Sequence, residues 1–384
     1  MSDAVAPAQG ILLGRVRHPD FAYPLVVTVH DGEVFDITSR RAPTVRDVCE
    51  QADPAAHVAS ARDRPIGSLA TIVGHSHQRN RQPGTPYLLA PVDLQAVKAA
   101  GVTFVVSLLE RVIEEQARGD PAKAKALRGD LTRLIGDDLA KLVPGSDAAM
   151  EVKAALIRRG VWSQYLEVGI GPDPEIFTKG QPMSQVGYGA EVGVLASSKW
   201  NNPEPEVVVI AASGGRVVGA TLGNDVNLRD IEGRSALLLG KAKDNNASGA
   251  MGPFIRLFDG DFGLDDVKAI ELTLTVEGED GFSLMGSSSM KRISRPPEAL
   301  VAAACGEHHQ YPDGFALYLG TMFAPVDDRD RDGEGFTHHI GDIVRVSCPE
   351  LGLLQNRVQA AHLCPPWTYG TRALMADLAA ARMI

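Results

Sequence analysis

The sequence has no long apolar run, few cysteines and no excess of positive charge, and each shortage excludes a class of protein. No segment of its 384 residues approaches the roughly 20 uninterrupted apolar residues that a membrane helix needs. The four cysteines lie far apart without a CxxC spacing, which predicts plain thiols and no disulfide framework or zinc knuckle: Cys49, Cys305, Cys348 and Cys364. The net charge of -10 argues against a nucleic-acid partner, because phosphate backbones bind basic surfaces. The first residues, MSDAVAPAQG, lack the basic start and apolar core of a signal peptide, so we expect a cytoplasmic protein that acts away from membranes.

Residues 1–90 are predicted to form a small β-rich domain. The run LVVTVHDGEVFDI alternates apolar and polar residues around Asp31-Gly32, a pair typical of a two-residue hairpin turn. The polar stretch 58–88 has no clear period and is predicted to be a loop. His75 and His77 lie in this stretch and are interpreted as solvated side chains, not as metal ligands.

Residues 91–384 are predicted to form the main domain, which begins with a helical segment at about 104–160. An apolar stripe that starts at Leu108 predicts its first helix. Two further helices are predicted, at 121–142 and 146–159. From residue 165 onward the pattern is β-rich, with one helix near 296–305. Because no βαβ units alternate along the chain, the sequence indicates an α+β fold and not a doubly wound parallel sheet.

The most informative stretch is WNNPEPEVVVIAASGGRVVGATLGNDVNLRD, residues 200–230. Two apolar runs flank Gly214-Gly215, which predicts a β-hairpin with a two-residue turn. Glu204 and Glu206 are two residues apart on the incoming strand, so both point to one face. In the register set by this turn, Asp225 lies opposite Glu204 and Gly223 lies opposite Glu206. Three carboxylates are therefore predicted to converge on one face.

Directly opposed like charges destabilise a hairpin unless a cation neutralises them. Oxygen ligands clustered in this way suit Mg²⁺ or Mn²⁺, which keeps positions open for water or substrate. The alternative is a solvated acidic edge, since an ExE pair alone is a weak signal.

A second acidic segment, DRDRDGEGFTHH (328–339), imitates the start of a calcium-binding loop. His339 stands where a bidentate Glu is required, so this segment is interpreted as an exposed acidic turn.

The motifs around these carboxylates resemble the fumarylacetoacetate hydrolase superfamily. The shared sequence motifs occur in the family's order along about residues 165–360: PEPEVVV, GNDVNLRD, AKDNNASGAMGP, GFALYLGT and GDIVRVSCPELGLLQNRV. The resemblance implies a mixed β-sandwich roll as the catalytic domain, with the small β-rich domain before it and the helical segment as an insertion. It also implies that members act as homodimers or homotetramers.

The resemblance assigns site residues to this sequence. Glu204, Glu206 and Asp225 fall on the family's ligands for Mg²⁺ or Mn²⁺. The family lysine falls on Lys243, and the family Gly-Thr falls on Gly320-Thr321. A further family lysine, in IFTKG, falls on Lys179.

Two longer segments resemble the 2-keto-3-deoxypentonate dehydratase branch of this superfamily: GNDVNLRDIEGRSALLLGKAKDNNAS and HHQYPDGFALYLGTMFAP. Such enzymes convert a 2-keto-3-deoxy sugar acid into 2-oxoglutarate semialdehyde in oxidative pentose degradation. Family hydrolases and decarboxylases carry N-Y-x-x-H-x-x-E, whose His and Glu prepare water or a lid. The nearest segment here, SLLERVIE (107–114), keeps Glu114 and has Arg111 at the His position. Arginine cannot act as a general base, because it is never deprotonated, so elimination is favoured over hydrolysis.

The expected reaction is dehydration of a small 2-keto acid. The acid can chelate the ion through a carboxylate oxygen and the C2 carbonyl oxygen, and the ion then stabilises the enolate formed when C3 loses a proton. Lys243 and Glu114 are the predicted acid–base pair, with the two roles left open. Thr321, Lys179 and Arg111 are predicted to bind the substrate.

Each assignment also has a purely structural interpretation. Lys243 could be an exposed lysine at a helix end, and Glu114 could be a surface partner of Arg118. Arg229 and Asp230 are interpreted as a structural brace.

Two other functions stay open: a C–C bond hydrolase or decarboxylase of an acylpyruvate-type acid, and a non-catalytic metal-binding or scaffold protein. The D- or L-series of the substrate is left open as well.

Overall fold

The computed structural model describes residues 4–118, 120, 122–124, 142–158, 160, 162–331 and 335–384 of the protein. The strands in this part are β1 (Leu12–Arg17), β2 (Leu25–His30), β3 (Glu33–Asp36), β4 (Arg64–Ser68), β5 (Tyr87–Leu89), β6 (Ala96–Gly101), β7 (Glu175–Gly180), β8 (Glu191–Val194), β9 (Pro205–Ala211), β10 (Val217–Asp225), β11 (Gly249–Leu257), β12 (Glu271–Glu277), β13 (Ser283–Ser289), β14 (Phe315–Tyr318), β15 (Ile343–Cys348) and β16 (Gly352–Ala360). The α-helices are α1 (Val45–Cys49), α2 (Pro54–Ser60), α3 (Leu69–Ser76), α4 (Val105–Ala117), α5 (Asp147–Arg158), α6 (Gln164–Ile170), α7 (Arg229–Glu232), α8 (Leu239–Lys243), α9 (Leu264–Val267), α10 (Pro297–Ala304) and α11 (Thr371–Ala380).

The strands form two mixed sheets. The larger sheet has the order β4-β3-β2-β1-β11-β10-β9-β14-β6-β7, with β5 beside β1, and the smaller has the order β13-β12-β15-β16-β8. Among the described strands, β14 runs parallel to β6 and β16 runs parallel to β8, whereas the other neighbours are antiparallel. The predicted α+β fold with mixed sheets is therefore confirmed.

The predicted N-terminal hairpin is confirmed. His30 pairs with Glu33 across Asp31-Gly32, and both turn residues have the positive φ (49° and 78°) that such a turn requires. The prediction that 58–88 is a loop is wrong, because β4, α3, a 3-10 turn and β5 occupy it. The stretch shows no apolar period because β4 is an edge strand whose residues are exposed or half-buried.

The N-terminal strands continue the larger sheet. Leu12 and Leu13 of β1 pair with Arg256 and Ile255 of β11. Leu12 also belongs to the same buried core as Phe254. The division of the chain into residues 1–90 and 91–384 stays a prediction.

The helical segment predicted at about 104–160 begins with α4, which follows β6. Leu108 and Val112 of α4 share one buried core with side chains of α5 and α6. Helices α5 and α10 confirm those predicted at 146–159 and near 296–305. Most of the helix predicted at 121–142 lies outside the described residues. No described helix has the length and apolar character required to cross a membrane.

The β9–β10 hairpin has the register predicted for the carboxylates. Glu206 pairs with Gly223, and the Asp225 amide donates a hydrogen bond to the Glu204 carbonyl at 2.9 Å. All seven residues of β9 and all but the first of β10 are buried, so this hairpin lies at the centre of the molecule. The carboxylates are therefore held by backbone that is paired on both sides.

The turn of this hairpin differs from the prediction. The Ala212 amide donates a hydrogen bond of 2.9 Å to the Arg216 carbonyl around a three-residue turn, so the predicted two-residue turn at 214–215 is wrong. A bulge between Val217 and Gly219 adds one residue to β10. The longer turn shifts the register by one residue, and the bulge shifts it back before the strand reaches the carboxylates.

Candidate metal and active site

Three buried carboxylates meet at the end of the β9–β10 hairpin. One oxygen from each of Glu204, Glu206 and Asp225 lies within 4.8 Å of the others, and each residue is 1% exposed. No other group of potential metal-binding side chains of this kind is found in the part of the chain that the structure describes. The alternative of a solvated acidic edge is wrong, because burial removes these charges from water.

A buried lysine neutralises part of this negative charge. Lys243 Nζ, at the end of α8, lies 2.5 Å from Glu204 Oε2 and 3.3 Å from Asp225 Oδ2. The interpretation of Lys243 as an exposed helix-end residue is therefore wrong. Burial lowers the pKa of Lys243, but the carboxylates of Asp225 and Glu204 outweigh burial and hold that pKa above its usual value. The lysine is protonated in this arrangement.

Lys179, on β7, fixes the loop that follows Lys243. Its Nζ lies 3.2 Å from Asp225 Oδ1 and donates hydrogen bonds to the carbonyls of Ser248, at 2.9 Å, and of Lys243. Burial lowers the pKa of Lys179, which the Asp225 carboxylate partly opposes. An ammonium group has three donors, and these contacts use all three. Substrate binding by Lys179 stays a prediction.

Glu206 accepts hydrogen bonds from neutral donors. The Gly320 amide donates to Oε2 at 2.7 Å, and the Thr321 hydroxyl donates to Oε1 at 3.3 Å. No ion pair to Glu206 is found among the described residues. Burial raises the pKa of Glu206 well above its usual value, and the carboxylates of Asp225 and Glu204 raise it further. The ionised form of Glu206 therefore requires a further cation.

The charges around the triad fit a divalent cation. Five buried carboxylates face four buried cations there: Glu114, Glu204, Glu206, Asp225 and Glu232 against Arg111, Lys179, Arg229 and Lys243. Burying an uncompensated charge is costly, and clustered carboxylate oxygens are the ligands of hard ions such as Mg²⁺ and Mn²⁺. The triad therefore has the donor chemistry that such an ion requires.

Helix α4 brings the predicted Arg111 and Glu114 to the triad. Arg111 Nη1 lies 2.6 Å from Glu114 Oε2, and Arg111 Nη2 donates a hydrogen bond to Glu204. Glu114 is 1% exposed and its other oxygen lies 3.3 Å from Arg229 Nε, so a surface pair with Arg118 is wrong. Burial raises the pKa of Glu114, although Arg111 and Arg229 oppose the shift.

Two charged residues of the site, Arg229 and Glu232, were not predicted. Arg229 and Asp230 were interpreted as a structural brace, and each has structural contacts. Arg229, which is 1% exposed, donates a hydrogen bond to Asn202 Oδ1 at 2.7 Å, and Asp230 accepts hydrogen bonds from Ser198 and Lys199. Glu232 Oε2 lies 3.5 Å from Arg111 Nη1. The i,i+3 spacing of Arg229 and Glu232 puts both on one helix face, and this was the available signal.

Other candidates lie outside this group. His75 and His77 are half-buried at the end of α3 rather than solvated, and the His77 ring packs against Tyr188 with ring centroids 5.3 Å apart. In the acidic segment 328–339, His339 Nε2 lies 2.9 Å from Asp330 Oδ1. Residues 332–334 of this segment lie outside the described part of the chain.

Gly223→Ala is expected to destabilise the protein, because the Tyr318 ring occupies the space beside Gly223. A Cβ at Gly223 would lie 2.4 Å from Tyr318 Cε1 and 2.6 Å from Val208 Cγ2. Overpacking a core costs roughly 1–3 kcal/mol, which urea denaturation followed by circular dichroism measures. Gly214→Ala is the matched control, since no atom lies within 4 Å of a Cβ at Gly214. Equal unfolding midpoints for the two variants would contradict the prediction.

Comparison with known proteins gives a family and relatives. Residues 147–359, more than half of the chain, match the family model described as fumarylacetoacetate (FAA) hydrolase C-terminal. The chain is 30% identical over 181 residues to the 2-dehydro-3-deoxy-D-arabinonate dehydratase of Saccharolobus solfataricus, which spans 47% of this chain and 57% of that relative. It is 28% identical over 268 residues to a probable 2-keto-3-deoxyxylonate dehydratase of Haloferax volcanii, which spans 70% of this chain and 73% of that protein. The first match thus covers less than two thirds of the relative's length.

Solved structures share the fold. The apo form of 2-keto-3-deoxy-D-arabinonate dehydratase superposes with a TM-score of 0.63 at 21% identity, covering 91% of this chain and 99% of that one. The form complexed with magnesium and 2,5-dioxopentanoate has a TM-score of 0.62 at 21% identity, with the same coverage. These similarities confirm the predicted fumarylacetoacetate-hydrolase-like fold. With its family model matched over more than half of its length, the chain belongs to the fumarylacetoacetate hydrolase family.

Proposed function

We propose that the protein is a metal-dependent hydro-lyase that converts a 2-keto-3-deoxypentonate into 2-oxoglutarate semialdehyde (2,5-dioxopentanoate) in pentose catabolism. The observation that carries the proposal is the buried triad Glu204, Glu206 and Asp225 with the Lys243 side chain in contact with two of its members. Two relatives are named as dehydratases of such acids, and a structural neighbour holds magnesium and 2,5-dioxopentanoate, which supports this substrate class.

Glu204, Glu206 and Asp225 are the proposed ligands of Mg²⁺ or Mn²⁺. A bound ion would supply Lewis-acid stabilisation of the negative charge that develops on the 2-keto acid. The chain's own contribution is to hold three oxygens together against their repulsion. Lys243 and Arg111 do this by contacting Glu204, and the Gly320 amide does it by binding Glu206.

Lys243 and Glu114 are the proposed acid–base pair. Lys243 reaches the triad from α8 and Glu114 comes close to it from α4, linked to Glu204 through Arg111. Lys243 starts protonated, since two carboxylates stabilise its charge. Burial raises the pKa of Glu114, so Glu114 accepts and holds a proton more readily than an exposed carboxylate does. Proton transfer at C3 is assigned to this pair as a unit.

Arg111, Thr321 and Lys179 are the proposed substrate-binding residues. Arg111 offers a positive charge to an anionic acid, and its planar donors suit a carboxylate. The Thr321 hydroxyl, beside Glu206, is placed to hydrogen-bond a ligand that reaches the triad. Lys179 contributes charge close to Asp225.

The second candidate is a C–C bond hydrolase or decarboxylase of an acylpyruvate-type acid, which would use the same triad. The hydrolysis requires activated water, and the resemblance puts Arg111 where such family members carry His. Although burial opposes its charge, Glu114, Glu232 and Glu204 hold the pKa of Arg111 above its usual value, so Arg111 cannot serve as a base. The buried ion pairs therefore favour dehydration over hydrolysis.

The decisive experiment is to incubate the Mg²⁺-loaded protein with each C4 epimer of 2-keto-3-deoxypentonate. We expect 2-oxoglutarate semialdehyde from at least one epimer, loss of the reaction with EDTA, and its return with Mg²⁺ or Mn²⁺. Product analysis by mass spectrometry separates the candidates, because dehydration keeps all carbons in one molecule and hydrolysis gives two products. Cleavage of an acylpyruvate with neither epimer dehydrated would overturn the assignment, and no turnover of any 2-keto acid would favour a scaffold protein.

The proposed setting is a cytoplasmic homodimer or homotetramer without membrane or nucleic-acid partners. The four cysteines are free, as predicted, which suits a reducing compartment. The net charge of -10 supports a small-molecule partner over nucleic acid. Self-association is proposed from the family's usual assembly.

A further inference from the structure

One row of residues crosses the larger sheet beside the triad. Glu206 on β9 pairs with Gly223 on β10. On the other side of Glu206, the β9–β14 register, continued past the end of β14, places Gly320 opposite Glu206. The Gly320 amide donates a hydrogen bond to the Glu206 side chain. The parallel β14–β6 register then places Gly101 beside Gly320, and Gly101 pairs with Glu175 on β7. Two carboxylates in one row are thus separated by two glycines.

The two glycines contribute no side chain of their own between Glu206 and Glu175. Thr103 Oγ1 lies 1.8 Å from the place that a Cβ at Gly320 would take. Three strand spacings of roughly 4.8 Å put the backbones of Glu206 and Glu175 about 14 Å apart. The carboxyl of Glu175 lies back over the neighbouring strand, because a Cβ at Gly101 would come within 1.9 Å of Glu175 Oε2. Glu175 thus reaches about one strand spacing towards the triad. About two strand spacings, roughly 10 Å, therefore separate the Glu175 carboxyl from the backbone of Glu206.

The surroundings of Glu175 suit a proton donor. The residue is half-buried, and no hydrogen bond or ion pair to its carboxyl is found within the described residues. Burial raises the pKa of Glu175 to about 7, and Glu232 adds to this shift while Arg111 opposes it. A large fraction of Glu175 therefore carries a proton at neutral pH.

We propose that Glu175 is the acid that protonates the C4 hydroxyl of the substrate as it leaves. This inference rests on the proposed function and assigns the residue at the hydroxyl end of the same site. C3 gives its proton to the Lys243–Glu114 pair, the electron pair left behind forms the C3=C4 double bond, and the C4–O bond breaks. The departing oxygen takes the Glu175 proton and leaves as water.

The remaining steps return each proton. Glu175, now a carboxylate, takes a proton from C5 as the double bond moves to C4=C5, and the Lys243–Glu114 pair returns its proton to C3. The enol formed at C5 then tautomerises to the aldehyde, which gives the 2,5-dicarbonyl product. No oxidant, reductant or second substrate is required.

The test compares two reactions of Glu175→Gln in the Mg²⁺-loaded full chain. The first is dehydration of 2-keto-3-deoxypentonate, which requires a proton donor at C4. The second is exchange of the C3 protons of 2-oxopentanoate with D₂O, measured by NMR. This exchange requires no proton donor at C4, because 2-oxopentanoate has no leaving group there. We expect dehydration to fall by at least about 100-fold, the usual scale of general acid catalysis, and C3 exchange to stay close to the wild-type rate.

A second variant and a pH profile separate proton donation from a structural effect. Gly101→Ala should also slow dehydration, because its methyl group displaces the Glu175 carboxyl. Wild-type dehydration should fall as pH rises above about 7, where Glu175 loses its proton, and Glu175→Gln should lack this decline. Glu167→Gln is the control carboxylate, since Glu167 lies on α6 and pairs with Lys153 at 2.5 Å.

If the Glu175→Gln variant dehydrated the substrate at the wild-type rate, the inference would be overturned and the proposed function would stay intact. Equal losses of dehydration and C3 exchange would also overturn it, because they would show that Glu175 only supports the site. If the wild-type protein neither dehydrates the substrate nor exchanges C3 protons, the proposed function itself fails and the role of Glu175 fails with it.

Discussion

Glu206→Gln is expected to abolish metal binding without unfolding the protein. Glutamine keeps the shape of the side chain and can still accept the Gly320 hydrogen bond, but it removes one of three negative ligands. We expect the affinity for Mn²⁺, measured by isothermal titration calorimetry, to fall by at least about 100-fold, which corresponds to roughly 2.8 kcal/mol. Dehydration should be lost with it.

The same variant should be more stable than the wild type when both are free of metal. Burial raises the pKa of Glu206 above its value in the unfolded chain. The metal-free wild type is therefore fully stable only below the unfolded pKa of Glu206, and it loses stability as pH rises towards the folded pKa. Glu206→Gln lacks this loss, so its melting temperature in EDTA should be higher at neutral pH than that of the wild type.

Adding metal should reverse the order of stability. A ligand at 100 times its Kd stabilises the protein that binds it by about 2.7 kcal/mol, and only the wild type gains this stabilisation. Glu271→Gln is the matched control, because Glu271 is an exposed glutamate on strand β12. Undiminished Mn²⁺ affinity in Glu206→Gln would remove the triad from the proposed site.

Lys243→Met is expected to lower kcat by about 10³-fold and to destabilise the metal-free protein. The variant removes a member of the proposed acid–base pair, whose contribution is typically 10²–10⁴-fold. It also removes the buried ammonium group that lies within 3.3 Å of both Glu204 and Asp225. Breaking a buried ion pair in this way costs roughly 3–5 kcal/mol. Steady-state kinetics and thermal unfolding with and without Mg²⁺ measure the two effects.

Lys241→Met separates these effects from general changes in charge. Lys241 lies on the same short helix, α8, but its side chain is exposed. We expect this control to keep both kcat and the melting temperature of the wild type. Should Lys243→Met retain kcat within tenfold while binding metal normally, proton transfer must be assigned to another residue.

The sequence was most informative where the site depends on neighbouring residues along one hairpin. The alternation of strand side chains placed Glu204 and Glu206 on one face, and the hairpin placed Asp225 across from them. Only the turn was wrong, and the bulge at Val217–Gly219 compensated for it. The convergence of the three carboxylates was therefore predicted correctly even though one step of the argument failed, and their role as metal ligands stays a prediction.

Contacts between distant segments were harder to predict. Arg229 binds Asn202 and approaches Glu114, which lies 115 residues earlier in the chain. The Glu175 carboxyl lies beside Gly101 only because β7 pairs with β6 there. Neither pairing leaves a local period or spacing in the sequence, so the electrostatic roles of these residues appear only in the folded chain.

The placement of the triad on adjacent central strands restricts the size of the ion that it can hold. The backbones of Glu206 and Asp225 lie in the ladder of β9 and β10, and the Glu204 carbonyl accepts a hydrogen bond from the Asp225 amide, so the three backbones are held more closely than in a flexible loop. Calcium takes about six to eight oxygens at roughly 2.3–2.6 Å, whereas magnesium takes six at about 2.0–2.1 Å. We therefore expect the site to favour a small cation such as Mg²⁺ over a larger one such as Ca²⁺ even before any substrate binds.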